Sequence, residues 1–253
     1  MKADREIVVF SEDKRYLQQA AGLAAELALP LVNKLPAEEL WVLSIDRDGV
    51  SIAATTAIHH PLRVDFSSPS VTYRRKFGGG RGQAIARAVG LKGGRNPRVL
   101  DATAGLGRDS FVLACLGCTV TMIERSTVIA ALLADGLLRG KGRTNIAAVV
   151  DRMSLSAANA VDWINDRDDV GFDVIYIDPM FPPRTKSALV KRDMQLMHEL
   201  VGVDDDSELL LSAALQSTAA RVVVKRPRRS DPIAGLAPSF VLQGKSSRFD
   251  VYL

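Results

Sequence analysis

The sequence has few cysteines and histidines and no long apolar segment. Its 253 residues include only two cysteines and three histidines. Two cysteines cannot form a disulfide framework, and so few are typical of proteins in a reducing cytosol. No stretch approaches eighteen uncharged apolar residues, so we expect no membrane span, and four of the first six residues are charged, unlike a signal peptide. We therefore expect a cytoplasmic protein.

The groups that define several common enzyme classes are also missing. His59, His60 and His198 are too dispersed to suggest a metal site. Cys115 and Cys118 have the spacing of redox and zinc sites, but no second pair accompanies them, and Cys115 falls in an apolar helical pattern. No serine or cysteine lies in a nucleophile motif with partners. We therefore expect neither a metal site nor a covalent catalytic nucleophile.

The overall composition is that of a globular protein. Hydrophobic residues make up 47% of the chain and charged residues 25%, which excludes disorder, collagen and coiled coil as global descriptions. The length suits one large domain, or one domain with a smaller appendage. Lys and Arg number 33 against 29 Asp and Glu, a net charge of +4. This mild excess permits a polyanionic partner without requiring one.

The first seventy residues form a small mixed unit in this interpretation. We predict a strand at Ile7–Phe10, a helix over Lys14–Ala28, and a hairpin of Leu40–Ile45 and Val50–Ala54 around an Asp-Arg-Asp-Gly turn. A loop at Arg74–Gly82, with four glycines and four cations, then precedes a short helix. We therefore expect a small α+β domain over residues 1–75 and a second domain over residues 76–253.

The second domain alternates strands with helical stretches. Helices are predicted at Ser110–Leu116 and Val128–Arg139, and a terminal hairpin at Phe240–Gln243 and Arg248–Tyr252. The five preceding strands are predicted at Arg98–Ala102, Thr119–Ile123, Met153–Ala158, Asp173–Ile177 and Arg221–Val224. Helical crossovers between strands predict a mostly parallel α/β sheet with helices on both faces, closed by an antiparallel hairpin.

The first of these strands runs into a glycine turn. Gly105 and Gly107 let the backbone approach a ligand at the start of the next helix. Ser110 stands where a dinucleotide fingerprint has its third glycine, and Asp109 would repel a pyrophosphate. Carboxylates at Asp101 and Asp109 suit a ligand with a cationic ammonium or sulfonium, such as S-adenosylmethionine.

Two further strand ends carry candidate binding residues. Glu124 ends the second strand, nineteen residues after Gly105, where an acidic residue accepts ribose hydroxyls. Asn159 and Ala160 follow the third strand, at a position that commonly faces adenine, although asparagine there also forms turns. The alternative for this half is a structural glycine turn beside a surface glutamate.

The fourth strand ends in Asp178-Pro179-Met180-Phe181. Proline stiffens this segment. Asp178 and the Pro179 carbonyl could accept hydrogen bonds from an exocyclic amine, and Phe181 could stack on the base that carries it. Such acceptors redirect a lone pair that is otherwise conjugated to the ring. The alternative is a proline-rich loop that caps the strand, with Phe181 in the core.

Three groups of cations are candidates for phosphate contacts. Two of them follow the fourth and fifth strands, so they would emerge at the carboxyl edge of a parallel sheet, and the third lies in the glycine-rich loop. Each group alone would also suit a solvated surface. The candidate RNA-binding residues are Arg74, Arg75, Lys76, Arg81, Arg184, Lys186, Lys191, Arg192, Lys225, Arg226, Arg228 and Arg229.

These motifs together resemble a known family. Asp178–Phe181 resembles the Asp/Asn-Pro-Pro-Phe/Tyr motif of amino-directed class I methyltransferases, with Met180 in place of the second proline. RRKFGGGRG, DATAGLGRD, AALLADGLLRG, DPMFPPRTKSALV and VVVKRP are in combination similar to the bacterial ribosomal RNA small subunit methyltransferase J family. The resemblance runs from about Arg74 to the C-terminus.

The resemblance implies a class I, Rossmann-like methyltransferase fold and methyl transfer from S-adenosylmethionine to the N2 amine of a guanine in 16S rRNA. It also implies 16S rRNA or the small ribosomal subunit as partner. The cofactor-binding positions that it implies are Arg108, Asp109, Glu124, Arg125, Asn159, Ala160 and Asp178.

Other functions stay open at this point. One is an amino methyltransferase that acts on adenine, cytosine or a protein amide, since the four-residue motif does not choose among them. Another is a noncatalytic RNA-binding protein with this fold. An NAD-dependent oxidoreductase is disfavoured by Ser110 and by Asp178-Pro179.

Overall fold

The computed structural model describes residues 6–35, 37–59, 61–68, 80–92, 94–169, 171–180, 192–202, 206–244 and 247–253. The strands are β1 (Ile7–Phe10), β2 (Leu31–Val32), β3 (Trp41–Asp46), β4 (Gly49–Ala54), β5 (Arg98–Asp101), β6 (Thr119–Glu124), β7 (Met153–Ala157), β8 (Val174–Ile177), β9 (Arg221–Pro227), β10 (Phe240–Gln243) and β11 (Ser247–Tyr252). The α-helices are α1 (Leu17–Glu26), α2 (Ala84–Ala88), α3 (Arg108–Cys115), α4 (Thr127–Lys141), α5 (Ala147–Val150), α6 (Ala160–Asn165), α7 (Arg192–Val201) and α8 (Ser207–Gln216).

The N-terminal part builds a sheet of four strands in the order β2-β1-β3-β4. The predicted hairpin is confirmed, because β3 and β4 pair antiparallel with Asp46 opposite Gly49. Gly49 has φ +102°, which fits the tight turn. The predicted helix over Lys14–Ala28 is shorter: a 3₁₀ turn at Lys14–Tyr16 precedes α1. Ala28 has φ +52°, a left-handed conformation that cannot continue the helix.

The second sheet has the order β10-β11-β9-β8-β5-β6-β7. β5 to β9 are mutually parallel, and β11 runs antiparallel between β9 and β10. The sequence prediction of a mostly parallel sheet with an antiparallel C-terminal hairpin is therefore confirmed. The chain leaves β5 for β6 on one side and later reaches β8 on the other. This topological switch point is where open α/β sheets bind ligands, beyond the carboxyl ends of the strands.

One hydrophobic core contains residues from both sheets, from Val9 in β1 to Val251 in β11. Helix α4 packs closely on the segment before the glycine-rich loop: a Cβ built on Gly136 would lie 2.5 Å from Cγ1 of Val64. Any side chain at Gly136 would therefore force the two segments apart. The predicted domain boundary near residue 75 lies outside the described residues and stays a prediction. No helix in the described part of the chain has the length and hydropathy that a membrane span requires.

Candidate active site

A cleft of about 610 Å³ lies at the carboxyl edge of the second sheet, at its switch point. The turn after β5 forms one wall, and the ends of β6, β7 and β8 form the floor. Met197 and Val201 of α7 and Leu210 of α8 complete it. No bounds were predicted for α7 or α8 from the sequence, so this part of the cleft was not predicted.

The glycine turn is fixed by backbone conformation and packing together. Gly105 has φ +52° and Gly107 has φ +67°, the left-handed region that favours glycine. A Cβ built on Gly107 would lie only 2.8 Å from Cδ1 of Leu133 in α4. Both features bring the backbone tightly around the start of α3. The sequence-predicted turn is therefore confirmed in its geometry.

Glu124 ties this turn to the end of β6. Its side chain is buried, and its carboxylate accepts two backbone hydrogen bonds of 2.8 Å, from N–H of Gly105 to Oε2 and from N–H of Ser126 to Oε1. A carboxylate has further lone pairs beyond these two bonds. Glu124 is thus a rigid acceptor that lines the cleft.

Asn159 and Ala160 line the cleft beside Glu124. Asn159 caps α6: its Oδ1 accepts N–H of Val161 at 2.8 Å and N–H of Asp162 at 3.4 Å. The local structural role weighed for this asparagine is therefore confirmed, since its side chain caps the helix at the border of the cleft, while its contact with adenine stays a prediction.

Arg125 and Arg108 lie in different surroundings, although the resemblance groups both with the cofactor residues. Arg125 lines the cleft and forms an ion pair with Asp206 at the start of α8, with Nη1 and Oδ1 3.1 Å apart. Arg108 is exposed on the first turn of α3. The Arg125–Asp206 pair joins two segments 81 residues apart, which sequence reasoning did not find.

Asp101 lies beneath the glycine turn and is 2% exposed. It accepts a hydrogen bond from the Ser110 hydroxyl, and one of 3.2 Å from the N–H of Thr103. Burial raises the pKa of Asp101 to about 7, and the nearby charges of Asp109 and Asp178 add to the rise against these hydrogen bonds. A buried acid that titrates near neutrality is typical of functional sites.

Lys225 of β9 connects two carboxylates. Its Nζ lies 2.7 Å from Oδ2 of Asp109 and 2.6 Å from Oδ2 of Asp178. The hydroxyl of Tyr176 in β8 donates to the same Asp109 oxygen at 2.8 Å. Burial alone would lower the pKa of Lys225, but the charges of Asp178 and Asp109 outweigh it and hold this pKa above its ordinary value. The ammonium is therefore protonated across the whole physiological pH range.

Asp178 and Pro179 border the same cleft, with Met180 beside them. The N–H of Asp178 donates to Oγ1 of Thr103 at 2.6 Å, and its side chain is 35% exposed. Main chain and carboxylate are thus both held while the side chain still reaches solvent. Phe181 lies outside the described residues, so its predicted stacking stays a prediction.

The comparisons with known proteins agree with this geometry. The model of a family described as "Putative SAM-dependent methyltransferase" matches residues 24–253. The ribosomal RNA small subunit methyltransferase J of Thioalkalivibrio sulfidiphilus is 49% identical, covering 96% of this chain and 95% of that protein. The protein of the same name from Pseudomonas aeruginosa is 50% identical, covering 93% and 90%. The chain belongs to the ribosomal RNA small subunit methyltransferase J family.

A solved structure supports the same fold for this family member. The crystal structure of a SAM-dependent methyltransferase from Neisseria gonorrhoeae is 35% identical, with a TM-score of 0.75, and covers 98% of this chain and 95% of that one. The strand order described above is the class I methyltransferase arrangement that the sequence resemblance implied.

The cations of this methyltransferase do not all lie on one edge. Arg226, Arg228 and Arg229 follow the core of β9 at the carboxyl edge, where Arg228 and Arg229 are exposed and Arg226 is half-buried and donates to the Asp231 carbonyl. Arg81 instead donates to Oδ1 of Asn96 at 2.5 Å, just before β5. That is the amino edge, so the structure does not bring Arg81 to the cleft.

Lys225 also differs from the phosphate contact predicted for it, because its ammonium is engaged by Asp109 and Asp178. A lysine directly after three apolar residues of an inner strand was the signal in the sequence. The side chain of Arg192 and all of Arg74, Arg75, Lys76, Arg184, Lys186 and Lys191 lie outside the described residues. Their RNA contacts stay predictions.

Proposed function

We propose that this protein transfers a methyl group from S-adenosylmethionine to the exocyclic N2 amine of a guanosine in 16S rRNA. The observation that carries the proposal is Asp178, held by Thr103 and Lys225 at a cleft that also contains the glycine turn and Glu124. Relatives of about half-identical sequence are named as small subunit rRNA methyltransferases, and the choice of the N2 amine follows the family resemblance.

The residues that line the cleft fit S-adenosylmethionine in their chemistry. Glu124 would accept the ribose hydroxyls, while Ile123, Asn159 and Ala160 would surround the adenine. Asp109 and the turn of Gly105 and Gly107 would border the charged part of the ligand.

When bound, S-adenosylmethionine supplies an electrophilic methyl group on a cationic sulfur. The protein's own task is to prepare the amine. The lone pair of N2 is conjugated with the purine ring, so the free amine is a poor nucleophile. The carboxylate of Asp178 and the carbonyl of Pro179 would accept its N–H groups, turn the lone pair toward the methyl group and hold it there. Phe181 would stack on the guanine.

The rRNA partner would lie across the carboxyl edge of the sheet. Arg228 and Arg229 are exposed at this edge, and their charges suit contacts with phosphates. Arg226 and the cations of the segments beyond Asp178 would extend this surface. We also propose that the protein works in the cytoplasm, where small ribosomal subunits are found.

The proposal is tested by methylation in vitro. Purified protein is mixed with S-adenosylmethionine and with 16S rRNA or small subunits that lack the modification, and the nucleosides are analysed by mass spectrometry. We expect N2-methylguanosine with the wild type and none with Asp178→Ala. Asp166→Ala, which changes an exposed aspartate after α6, serves as the matched control and keeps full activity. Full turnover by Asp178→Ala would refute the role of Asp178.

Calorimetric titration separates the proposal from the other fold-compatible functions. The proposed function requires binding of S-adenosylmethionine and no comparable binding of NAD. Tight NAD binding would favour an oxidoreductase. Product analysis covers the remaining alternatives, since methyladenosine, methylcytidine or a methylated protein amide would each replace the proposed product, and an RNA-binding factor would give none.

A further inference from the structure

Lys225 is the cation at the centre of an acidic cluster. Asp109 comes from the first turn of α3, Asp178 from the end of β8, and Lys225 from β9, so three separate segments meet at one ammonium. The exposed fraction of the side chain is 10% for Asp109, 26% for Lys225 and 35% for Asp178. The least exposed carboxylate therefore anchors the lysine, and the lysine in turn reaches the carboxylate at the cleft.

The anchor is itself rigid. Oδ2 of Asp109 accepts hydrogen bonds from both the Tyr176 hydroxyl and the Lys225 ammonium, and Tyr176 is fully buried in β8. Two residues beyond Tyr176, the main chain at Asp178 is fixed by Thr103. The position of Nζ is therefore determined by the sheet, and the orientation of the Asp178 carboxylate follows from it.

Charge balance gives the ammonium a second effect. Among the described residues, the titratable groups that act on one another around Asp178 include Asp101, Asp109, Tyr176 and Lys225, and Lys225 supplies positive charge to this group. Neighbouring carboxylates disfavour one another's ionisation, and a nearby cation favours it. Without the ammonium, the cluster would hold its protons to higher pH.

We propose that Lys225 is a positioning residue for methyl transfer, whose ammonium keeps the Asp178 carboxylate ionised and oriented toward the target amine. This inference rests on the proposed function, in which Asp178 accepts the N–H of the guanine. It replaces the phosphate contact that the sequence suggested for Lys225. The two roles make opposite predictions, because phosphate contacts act on RNA affinity and its salt dependence, whereas positioning acts on turnover and its pH dependence.

The experiment compares Lys225→Met with Lys92→Met, a matched control that removes an exposed lysine from the segment before β5. Methyl transfer to rRNA is measured from pH 5.5 to 9, and rRNA binding is measured over a range of salt concentrations. For Lys225→Met we expect kcat to fall about 100-fold and the acid limb of the pH profile to move up by at least about one unit. KM for rRNA and the salt slope stay unchanged.

The control and the alternative role give different results. Lys92→Met keeps the wild-type kcat, pH profile and salt slope. If Lys225 contacted a phosphate instead, Lys225→Met would keep a normal kcat and its salt slope would fall by about 0.9, and that result would overturn the inference. Absence of methyl transfer by the wild type would instead overturn the proposed function and the inference with it.

A second variant guards against loss of folding, since methionine removes the positive charge that lies between the two carboxylates. Lys225→Arg keeps the charge but changes the geometry, because a planar guanidinium does not replace a compact ammonium. We expect the acid limb of Lys225→Arg to stay at its wild-type pH while kcat falls. Wild-type kcat for Lys225→Arg would contradict the positioning role. Thermal unfolding of each preparation identifies the folded variants.

Discussion

The stability of Asp101→Asn relative to the wild type should increase as the pH rises from acidic to neutral and alkaline values. Asp101 is buried, and its pKa is about 7 in the folded protein against an ordinary value of 3.8. Between these two values the folded state holds a proton that the unfolded state has released. The stabilisation from this group is therefore full below the ordinary pKa and is lost as the pH rises to about 7.

The size of the effect follows from the width of that window. Each unit between the two pKa values corresponds to about 1.4 kcal/mol of stability. Raising the pH from 5 to about 7 crosses roughly two units of this window, so it lowers the free energy of unfolding of the wild type by about 3 kcal/mol. Asparagine has nearly the same shape as the protonated acid and does not ionise, so the variant does not undergo this loss.

The assay is urea denaturation of ligand-free protein at several values between pH 5 and pH 8. We expect the free energy of unfolding of Asp101→Asn, relative to the wild type, to rise by about 3 kcal/mol across this range. Asp166→Asn changes an exposed carboxylate and should give a constant difference. A constant difference for Asp101→Asn as well would refute the explanation by burial.

Three further changes test the glycine turn, the cofactor side and the RNA surface. Gly107→Ala should lower the free energy of unfolding by about 2 kcal/mol or more, because its backbone has a positive φ and a Cβ there would clash with Leu133. Gly82→Ala, which has open space around the new Cβ, is the control for this measurement. Glu124→Ala should weaken S-adenosylmethionine binding in calorimetry at least about tenfold, because it removes the acceptor and frees the Gly105 turn; unchanged affinity would contradict this. Reversing both Arg228 and Arg229 to Glu should weaken rRNA binding and flatten its salt dependence by about two units of slope, with normal S-adenosylmethionine affinity, and equal loss of both affinities would contradict the RNA role.

Local sequence patterns were sufficient for the strands of the second sheet and for the glycine turn. β5, β6 and β8 are short apolar runs that end at polar residues, so their carboxyl ends, and with them Asp101, Glu124 and Asp178, could be placed together from topology alone. The turn at Gly105 and Gly107 was predictable because positive φ and close approach both select glycine.

Contacts between segments that are distant in the sequence could not be predicted from local patterns. The Arg125–Asp206 pair and the Lys225 bridge join segments 81 and 116 residues apart, and no spacing rule connects them. The position of Arg81 was predicted wrongly for the same reason. Its place in a glycine-rich loop suggested the cleft, but its hydrogen bond to Asn96 holds it at the amino edge of the sheet. Charge counts in the sequence predict that cations are present, whereas only the fold determines what they contact.

The most direct test of the central claim is mass spectrometry of 16S rRNA nucleosides from a strain that lacks this gene. The proposed function predicts that one N2-methylguanosine is missing, that the wild-type gene restores it, and that the Asp178→Ala gene does not. An unchanged amount of N2-methylguanosine in the deletion strain, or full restoration by Asp178→Ala, would contradict it.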